Sequence, residues 1–323
     1  MALTYADDIR TQLQEEQRMK RRIFLKLAGY AAIAIPSLSC AKSVRPQPNV
    51  ASGERRGEGG YANDKDATTR YMYASMVKHA MANGWEKLPV GEIMVKCGLL
   101  IAGTPYVGGT LEADGPETCR VDLTGLDCVT FFENMLCLAR CLRSGKTRYE
   151  DFIAALTYTR YRGGVLDGYT SRLHYTSEWI SDNVKKSVVK DITAELGGIP
   201  FPNTVSFMSA NPKYYKPLQV DSELIAKMDG IEKRINAMPR TFIPKDAVAA
   251  IEPKLQNGDI IAIATNKAGL DYAHSGMISR TAADQSVLLH ASLAKKKVIE
   301  DVRISDYLKS VPSHTGISVA RPV

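Results

Sequence analysis

The sequence has no hydrophobic run long enough to cross a membrane. The apolar stretch near the amino terminus runs only from Leu27 to Ile35 and is followed by Pro36, and no other segment of the 323 residues approaches the length of a span. A membrane-spanning helix needs about 20 mainly apolar residues, so we predict none. No internal repeat is visible. Hydrophobic residues make up 45% of the chain and charged residues 24%, a composition that allows a sizeable buried core.

Neither concentrated positive charge nor a phosphate-binding loop is present. The net charge is +7, of which +2 belongs to residues 1–39, and the basic run at 295–297 is short. Charge spread in this way is typical of a solvated surface, whereas a nucleic-acid groove needs a concentrated patch. The glycine-rich loop GTPYVGGT at 103–110 lacks the Lys-Ser/Thr ending of a phosphate-binding loop. We therefore predict no nucleic-acid partner and no nucleotide site.

The first 40 residues have the order of an export signal. A basic run, KRR, follows Met19, then comes the apolar stretch, and small residues lead to Cys40. We predict that translation starts at Met19, that residues 1–40 are leader and export signal, and that Cys40 is lipidated. The string RRIFLK resembles a twin-arginine motif, so Sec and twin-arginine export both stay open. The expected location is the periplasm, with the protein held at a membrane by its amino-terminal lipid.

The rest of the chain predicts a flexible tether followed by a single α+β domain. Residues 41–68 are rich in Gly, Pro and charge, which favours a tether, and the domain spans 69–323. Within it, 69–102 predicts two helices, the second starting at Pro89, and 128–142 predicts a helix that is apolar nearly all round and therefore buried. Five short runs separated by turn residues predict an antiparallel sheet: 258–265, 273–279, 286–292, 296–302 and 316–323.

Cys128, His274 and His290 have the residue types and predicted placement of a nucleophilic site. Cys128 follows Asp127, a predicted helix cap, so it lies in a first helical turn, where free N–H groups and the helix dipole favour a thiolate. His274 and His290 are sixteen residues apart on successive predicted strands, so a hairpin brings them side by side. A histidine can then take the thiol proton while a further polar group fixes the imidazole tautomer.

Each of these residues also has a structural interpretation. A lone Cys at a helix start is more often a packed thiol, and strand histidines are often satisfied by backbone groups. Metal binding by the same three residues lacks the close ligand pair that is typical of zinc sites, so we predict no metal. With Cys40 and Cys128 assigned, four cysteines remain without metal-knuckle spacing or a clear disulfide pattern: Cys97, Cys119, Cys137 and Cys141.

Five strings along the chain resemble successive motifs of one family. They are GTPYVGGT, GLDCVTFFENML, NGDIIAIAT, AHSGMIS and LLHAS, and they are similar to motifs of the NlpC-type papain-like cell-wall cysteine peptidases. The resemblance implies a papain-like core in which the nucleophile-bearing helix packs on an antiparallel β-sheet. It implies Cys128 as nucleophile, His274 as general base and His290 as the residue that orients it. It also implies that Tyr106 lines the site and helps to hold the oxyanion, and that Asp127 contacts substrate.

A long insertion separates the cysteine from the histidines. Cys128 and His274 are 146 residues apart, so about 146–245 looks like an insertion into a minimal core. Within it, the strings RLHYTSEWI and FPNTVSFMS resemble the N-acetylmuramoyl-L-alanine amidase-like branch. Four residues of the insertion are candidate sugar or peptide contacts, with packing and surface charge as the alternative: Arg172, His174, Tyr175 and Trp179.

The resemblance implies an enzyme that hydrolyses an amide of peptidoglycan or a muropeptide with no metal and no organic cofactor. The amidase branch implies cleavage between N-acetylmuramic acid and L-Ala. One alternative is an endopeptidase that cleaves within the stem, between γ-D-Glu and a diamino acid. Another, of a different class, is a protein that binds wall fragments without chemistry, although the intact Cys, His and His set argues against it.

Overall fold

The computed structural model describes residues 64–323, and its centre is an eight-stranded antiparallel sheet. The predictions for the leader, for Cys40 and for the tether up to residue 63 lie outside the described residues. The strands are β1 (Val189–Asp191), β2 (Ile199–Pro200), β3 (Thr241–Pro244), β4 (Ile260–Thr265), β5 (Tyr272–Arg280), β6 (Ser286–Ser292), β7 (Lys297–Arg303) and β8 (His314–Pro322). The five strands predicted from sequence are confirmed, each within two residues of its predicted ends.

Ten α-helices surround this sheet in the described part of the chain. They are α1 (Asp64–Ala82), α2 (Val90–Leu100), α3 (Cys128–Ser144), α4 (Tyr149–Arg160), α5 (Thr176–Lys185), α6 (Phe207–Ala210), α7 (Lys216–Val220), α8 (Ser222–Ala237), α9 (Val248–Ile251) and α10 (Ile304–Ser310). The first helix starts at Asp64, four residues before the predicted end of the tether at residue 68. Pro89 precedes α2 as its N-cap, as predicted. No helix within 64–323 combines the length and the hydropathy of a membrane span.

The sheet runs in the order β2, β3, β8, β4, β5, β6, β7, and β1 pairs with the far end of β8. The central strand β4 pairs with β5 on one side and with β8 on the other, so the carboxy-terminal strand β8 lies in the interior of the sheet. The hairpin of β5 and β6 pairs Met277 with Leu289, which sets His274 and His290 side by side on one face. Successive strand residues point to opposite faces, so this register decides which side chains meet each helical layer.

Two apolar cores cover the two faces of the sheet. On one face, Met277 and Leu289 pack with Phe131 and Met135 of α3, which is buried along most of its length. On the other face, Ile278 belongs to a core that contains residues of the short helix α10, namely Ile304 and Leu308. The all-round apolar pattern of α3 is thus explained, because α3 is enclosed by other helices as well as by the sheet.

The predicted insertion contributes to the sheet as well as to the helical layer. Its strands β1 and β3 both pair with β8, at opposite ends of that strand. Its helices α6, α7 and α8 form a third apolar core around Met208, Leu218 and Met228. The strands were not predicted because β1 and β2 are only three and two residues long, too short for a period-two pattern.

Candidate active site

Cys128 is the first residue of α3 and is held there by a complete capping box. The Asp127 carboxylate accepts hydrogen bonds from the backbone N–H groups of Val129 (3.1 Å) and Thr130 (2.8 Å). In return, the Thr130 hydroxyl accepts one from the backbone N–H of Asp127 at 2.9 Å. Such reciprocal capping fixes the entry of the chain into the helix. The sequence-based prediction of Asp127 as helix cap is confirmed.

Cys128 is partly buried as a residue, and the pKa of its thiol is shifted upward. Burial and the charge of Asp127 raise the pKa to about 11, while contact with Ser275 of β5 opposes the rise. The expectation that the helix terminus favours a thiolate is therefore reversed. The main physical reason is burial, which disfavours the charged thiolate, and the Asp127 carboxylate adds a nearby charge of the same sign.

His274 and His290 form a directly contacting pair. Nε2 of His274 lies 2.6 Å from Nδ1 of His290, and the two rings meet nearly edge to face at 4.8 Å. Gly276 makes this approach feasible, since a Cβ at that position would lie 2.8 Å from the Cβ of His290. The bond occupies Nε2 of His274 and leaves Nδ1 as its second ring nitrogen. The sequence-based prediction that a hairpin brings these histidines together is confirmed.

A carboxylate that sequence reasoning missed extends this pair. Oδ2 of Asp301 on β7 lies 3.4 Å from Nε2 of His290, and the ring of His290 is fully buried. Burial lowers the pKa of His290, whereas Asp301 raises it. The three side chains therefore form a relay in the order His274, His290, Asp301. Asp301 lies within the predicted strand KKVIEDV, but nothing in that string distinguishes it from a surface carboxylate.

Tyr307 of α10 packs against the same histidines and was also missed. Its ring centre lies 5.2 Å from that of His290 and 6.0 Å from that of His274. Burial, Asp301 and Cys128 together raise the pKa of Tyr307 to about 12, so its hydroxyl is within electrostatic reach of the thiol. The helix that carries Tyr307 has only seven residues and follows β7 directly, which left no separate pattern in the sequence.

The histidine pair is kept uncharged. Burial, with smaller contributions from His290 and His314, lowers the pKa of His274 to about 3. At neutral pH the structure therefore combines a protonated thiol with a neutral imidazole, and not a thiolate with an imidazolium. The electrostatics of Cys128 include Ser275 of β5, and Tyr307, which packs against both histidines, is influenced by the charge of Cys128. This arrangement suits a histidine that takes the thiol proton only as the thiol attacks.

Tyr106 lies in the electrostatic neighbourhood of Cys128, in the predicted loop 103–110. Its backbone N–H donates to the carbonyl of Lys296 at 3.0 Å, and Tyr106 also pairs with Leu126, two residues before Cys128. Burial, Cys128 and Asp127 raise the pKa of Tyr106 to about 12, which places its hydroxyl in the electrostatic field of the site. The loop is thus tied both to β7 and to the segment that enters α3.

The four candidate contacts from the insertion are mostly committed to internal partners. The indole of Trp179 is buried and donates to Glu133 at 2.9 Å, and the buried Tyr175 hydroxyl donates to Glu232 at 2.6 Å. Tyr175 and Trp179 are therefore packed in the interior of this structure, as the alternative interpretation of the sequence had it.

His174 contacts the carbonyl of Tyr169 at 2.9 Å, and burial, with help from the positive charge of Arg172, lowers the pKa of His174 to about 3. Arg172 pairs with Glu112 and Glu117.

No metal-binding cluster is formed within residues 64–323: no three or more His, Cys, Asp or Glu side chains converge there as ligands. The five cysteines of this range are free thiols, and Cys97, Cys137 and Cys141 are buried in the apolar core.

Several known proteins are similar to this chain. An N-acetylmuramoyl-L-alanine amidase from Bacteroides uniformis is 37% identical, covers 72% of this chain and 99% of its own, and superposes with a TM-score of 0.69. A protein from Bacteroides fragilis, described as a candidate xylanase, is 39% identical over 69% of this chain and 98% of its own, with a TM-score of 0.64. A Legionella pneumophila protein, 21% identical over 80% of this chain and 97% of its own, shares the fold with a TM-score of 0.59. No curated protein matches the chain.

A family model covers most of the described residues. It is the model described as AmiA-like, N-acetylmuramoyl-L-alanine amidase-like, and it matches residues 96–317, a range that includes Cys128, His274, His290 and Asp301. The match spans well over half of the chain. This protein therefore belongs to the AmiA-like, N-acetylmuramoyl-L-alanine amidase-like family.

Proposed function

We propose that this protein is a cysteine amidase that hydrolyses muropeptides between the lactyl carboxyl of N-acetylmuramic acid and L-Ala. The observation that carries the proposal is the 2.6 Å contact between His274 and His290, in a chain of this family in which Tyr307 packs against both rings and is influenced by the charge of Cys128. Family membership supports the substrate class, and the side chains at the site support the cysteine chemistry. A papain-like core of the NlpC type is part of the same proposal.

In the proposed first step, the Cys128 thiol attacks the amide carbonyl carbon as Nδ1 of His274 takes the thiol proton. A carbon–sulfur bond forms, the carbon–nitrogen bond breaks, and the imidazolium returns the proton to the departing amine of the stem peptide. Water then hydrolyses the thioester and releases the muramyl carboxylate. A pKa of about 11 for Cys128 makes this coupled transfer necessary, because little thiolate exists at neutral pH.

His290 and Asp301 act as positioning residues in this scheme. The neutral His290 ring contacts Nε2 of His274, and its own Nε2 donates to Asp301. This sequence of contacts fixes one tautomer of each ring and stabilises the positive charge that His274 acquires during attack. In this proposal His290 is the third member of the triad, and Asp301 is a fourth residue that holds the buried His290 in place.

Two groups are proposed to stabilise the oxyanion. The Asp127 carboxylate accepts from the N–H groups of Val129 and Thr130 and leaves the N–H of Cys128 to the substrate. The hydroxyl of Tyr106 is the second donor, since its pKa of about 12 keeps it protonated at all working pH values.

Glycoside hydrolysis fits the site less well than amide hydrolysis. Glycosidases usually flank the scissile bond with two carboxyl groups that work as acid and as base or nucleophile. Here the Asp127 carboxylate accepts two backbone hydrogen bonds, and the Asp301 carboxylate accepts from Val302 and His290. Both are used internally, while a thiol and an imidazole remain at the centre of the site.

The alternatives differ in the bond that is cleaved or in whether any bond is cleaved. An endopeptidase would use the same residues on the bond between γ-D-Glu and the diamino acid. A binding protein would retain wall fragments without turnover. Export to the periplasm, with a lipid on Cys40, belongs to the proposal as well, and it would bring the enzyme to its substrate.

The test is mass spectrometry of defined muropeptides incubated with protein from residue 41 onward. Cys128→Ala is the inactive variant, and Cys119→Ala, which removes another partly buried thiol, is the matched control. Free stem peptide plus free muramyl sugar, absent only with Cys128→Ala, is the expected result. A sugar that still carries L-Ala-D-Glu would identify the endopeptidase. No Cys128-dependent product from any muropeptide would overturn the proposal.

A further inference from the structure

A third histidine completes the ring of side chains around Tyr307. His314, the first residue of β8, is only 6% exposed, and its ring centre lies 5.7 Å from that of Tyr307 in a stacked arrangement. Its Nδ1 is buried and has no hydrogen-bond partner. A buried polar atom without a partner is costly, so such an atom beside an active site indicates a missing ligand. The proposed amide chemistry does not use His314.

Two lysines converge on the same histidine. Nζ of Lys245 donates to the carbonyl of Val311 at 3.3 Å, and that carbonyl also accepts from the backbone N–H of His314 at 3.1 Å. The end of β4 supplies the second lysine. His314 pairs with Thr265, and the next residue, Asn266, donates its N–H to the Ser313 carbonyl at 3.1 Å, so Lys267 follows at the same edge.

These lysines carry charge that no protein carboxylate neutralises. Within residues 64–323, neither Lys245 nor Lys267 forms an ion pair, because no carboxylate oxygen lies within 4.0 Å of either ammonium group, whereas Arg321 of β8 is paired with Asp259. Burial, and then the charges of Lys245 and Lys267, lower the pKa of His314 to about 4. The local field is therefore positive and the imidazole is neutral, a combination that favours an anion over a cation.

Space for a ligand adjoins Lys267. A groove of about 270 Å³ is lined by Asn203, Thr204 and residues 266–270, so Lys267 stands in its wall. The groove lies on the loop that joins β4 to β5, four residues before His274. Tyr307 packs against His274, His290 and His314, so His314 is connected to the histidine pair through one aromatic ring.

We propose that Lys245, Lys267 and His314 form a subsite that binds a carboxylate of the stem peptide. This inference rests on the proposed function and names what holds the leaving part of the substrate. The lysines supply charge, and the ring nitrogen of His314 supplies a hydrogen bond to a carboxylate oxygen. The subsite would select stems with free D-Glu carboxyls over stems in which those carboxyls are amidated.

The test compares kcat/KM for N-acetylmuramoyl-L-Ala-D-Glu and for its analogue with both D-Glu carboxyls amidated. The wild-type protein is expected to have a kcat/KM about tenfold higher for the free acid, because a hydrogen bond to a charged group usually strengthens binding by at least that factor. Lys267→Met and the double variant Lys245→Met/Lys267→Met should lower the rate for the free acid only, and Lys267→Arg should retain it. Lys227→Met, which removes an exposed lysine of α8, is the matched control.

Equal rates for the two substrates would overturn the subsite and leave the amidase intact. If neither substrate is cleaved, the proposed function fails, and binding to Cys128→Ala decides the subsite separately. In that case the ring resonances of His314 are followed by NMR as the dipeptide L-Ala-D-Glu or its diamide is added. A shift with the diacid alone, lost in Lys267→Met, supports the subsite, and no shift with either peptide overturns it.

Discussion

Nε2 of His274 lies 2.6 Å from Nδ1 of His290, and the ring of His290 is fully buried while His274 is partly buried. This contact makes each ring depend on the other for its tautomer. The His290 ring contacts Asp301 in turn, at 3.4 Å. Protonation of one ring therefore changes the hydrogen bonds of all three side chains, and the predictions below test the consequences.

Removal of the Asp301 carboxylate should slow turnover without weakening substrate binding. In Asp301→Asn, the group that orients His290 loses its charge, and the imidazolium formed at His274 is less stabilised. We expect kcat to fall about 10- to 100-fold with KM nearly unchanged. Steady-state kinetics over a range of pH is the measurement. Asp306→Asn, which removes an exposed carboxylate of α10, is the control, and equal losses in both variants would contradict a positioning role.

The rate at which Cys128 is alkylated should rise with pH, because the thiol is protonated at neutral pH. Because burial and Asp127 raise its pKa to about 11, alkylation by iodoacetamide should be slow at pH 7 and should accelerate up to about pH 11. The thiolate fraction at pH 7 is about a hundredfold below that of an unperturbed thiol. Site-resolved mass spectrometry measures the rate. A plateau near pH 6 would instead indicate a preformed thiolate and imidazolium pair.

Buried neutral histidines should make the fold sensitive to acid. The pKa of His174 is lowered by burial, and then by Arg172, to about 3, against about 6.5 in the unfolded chain. A lowered folded-state pKa gives stability that is fully present above pH 6.5 and is lost as the pH falls toward 3, because the unfolded chain binds the proton first. At pH 5 the loss is about 1–2 kcal/mol for this one group.

Urea unfolding of the wild-type protein and of His174→Gln at pH 7.5 and pH 5 measures this contribution. Gln can still donate to the Tyr169 carbonyl, as the Nε2–H of His174 does, but cannot take up a proton. The variant should lose less stability on acidification than the wild type. The same dependence on pH in both proteins would show that His174 does not cause the effect.

Glu133 should be essential for the stability of α3, the helix that begins at Cys128. Its carboxylate lies on α3, is 1% exposed, and pairs with the buried Arg160 at 2.8 Å while it accepts from Trp179 at 2.9 Å. Glu133→Gln leaves the guanidinium buried without a counter-charge, and such losses cost about 3–5 kcal/mol. Chemical unfolding measures the change. Glu150→Gln on the exposed surface of α4 is the control, and similar stabilities for the two variants would contradict the prediction.

Much of the site could be predicted because its parts are encoded locally. An aspartate before an apolar helical run predicts a cap, and the Asp127 box confirms it. Alternating apolar runs separated by turn residues predict strands, and β4 to β8 confirm them. His274 and His290 lie at similar distances from the short turn that joins their strands. Because a short turn allows few ways to pair the two strands, the sequence predicts that these histidines are neighbours.

Other parts could not be predicted because they depend on residues far apart in sequence. Tyr175 and Trp179 have the composition of a carbohydrate contact, yet their partners Glu232 and Glu133 lie in distant helices. Without those partners in view, an aromatic string cannot be distinguished from a binding surface. The weak strands β1 and β2 exist only because β8 and β3 offer edges to pair with.

The amino-acid sequence by itself determined the elements that bear the proposed reactive groups: the capped helix at Cys128 and the hairpin that joins His274 to His290. Local hydrogen bonds and hydrophobic periodicity suffice for that, because both act over a few residues. Only the tertiary structure decided that Asp301 and Tyr307 join the histidines and that the thiol is protonated at neutral pH. Desolvation and electrostatic fields depend on every element that surrounds a group, and therefore exist only after the chain has folded.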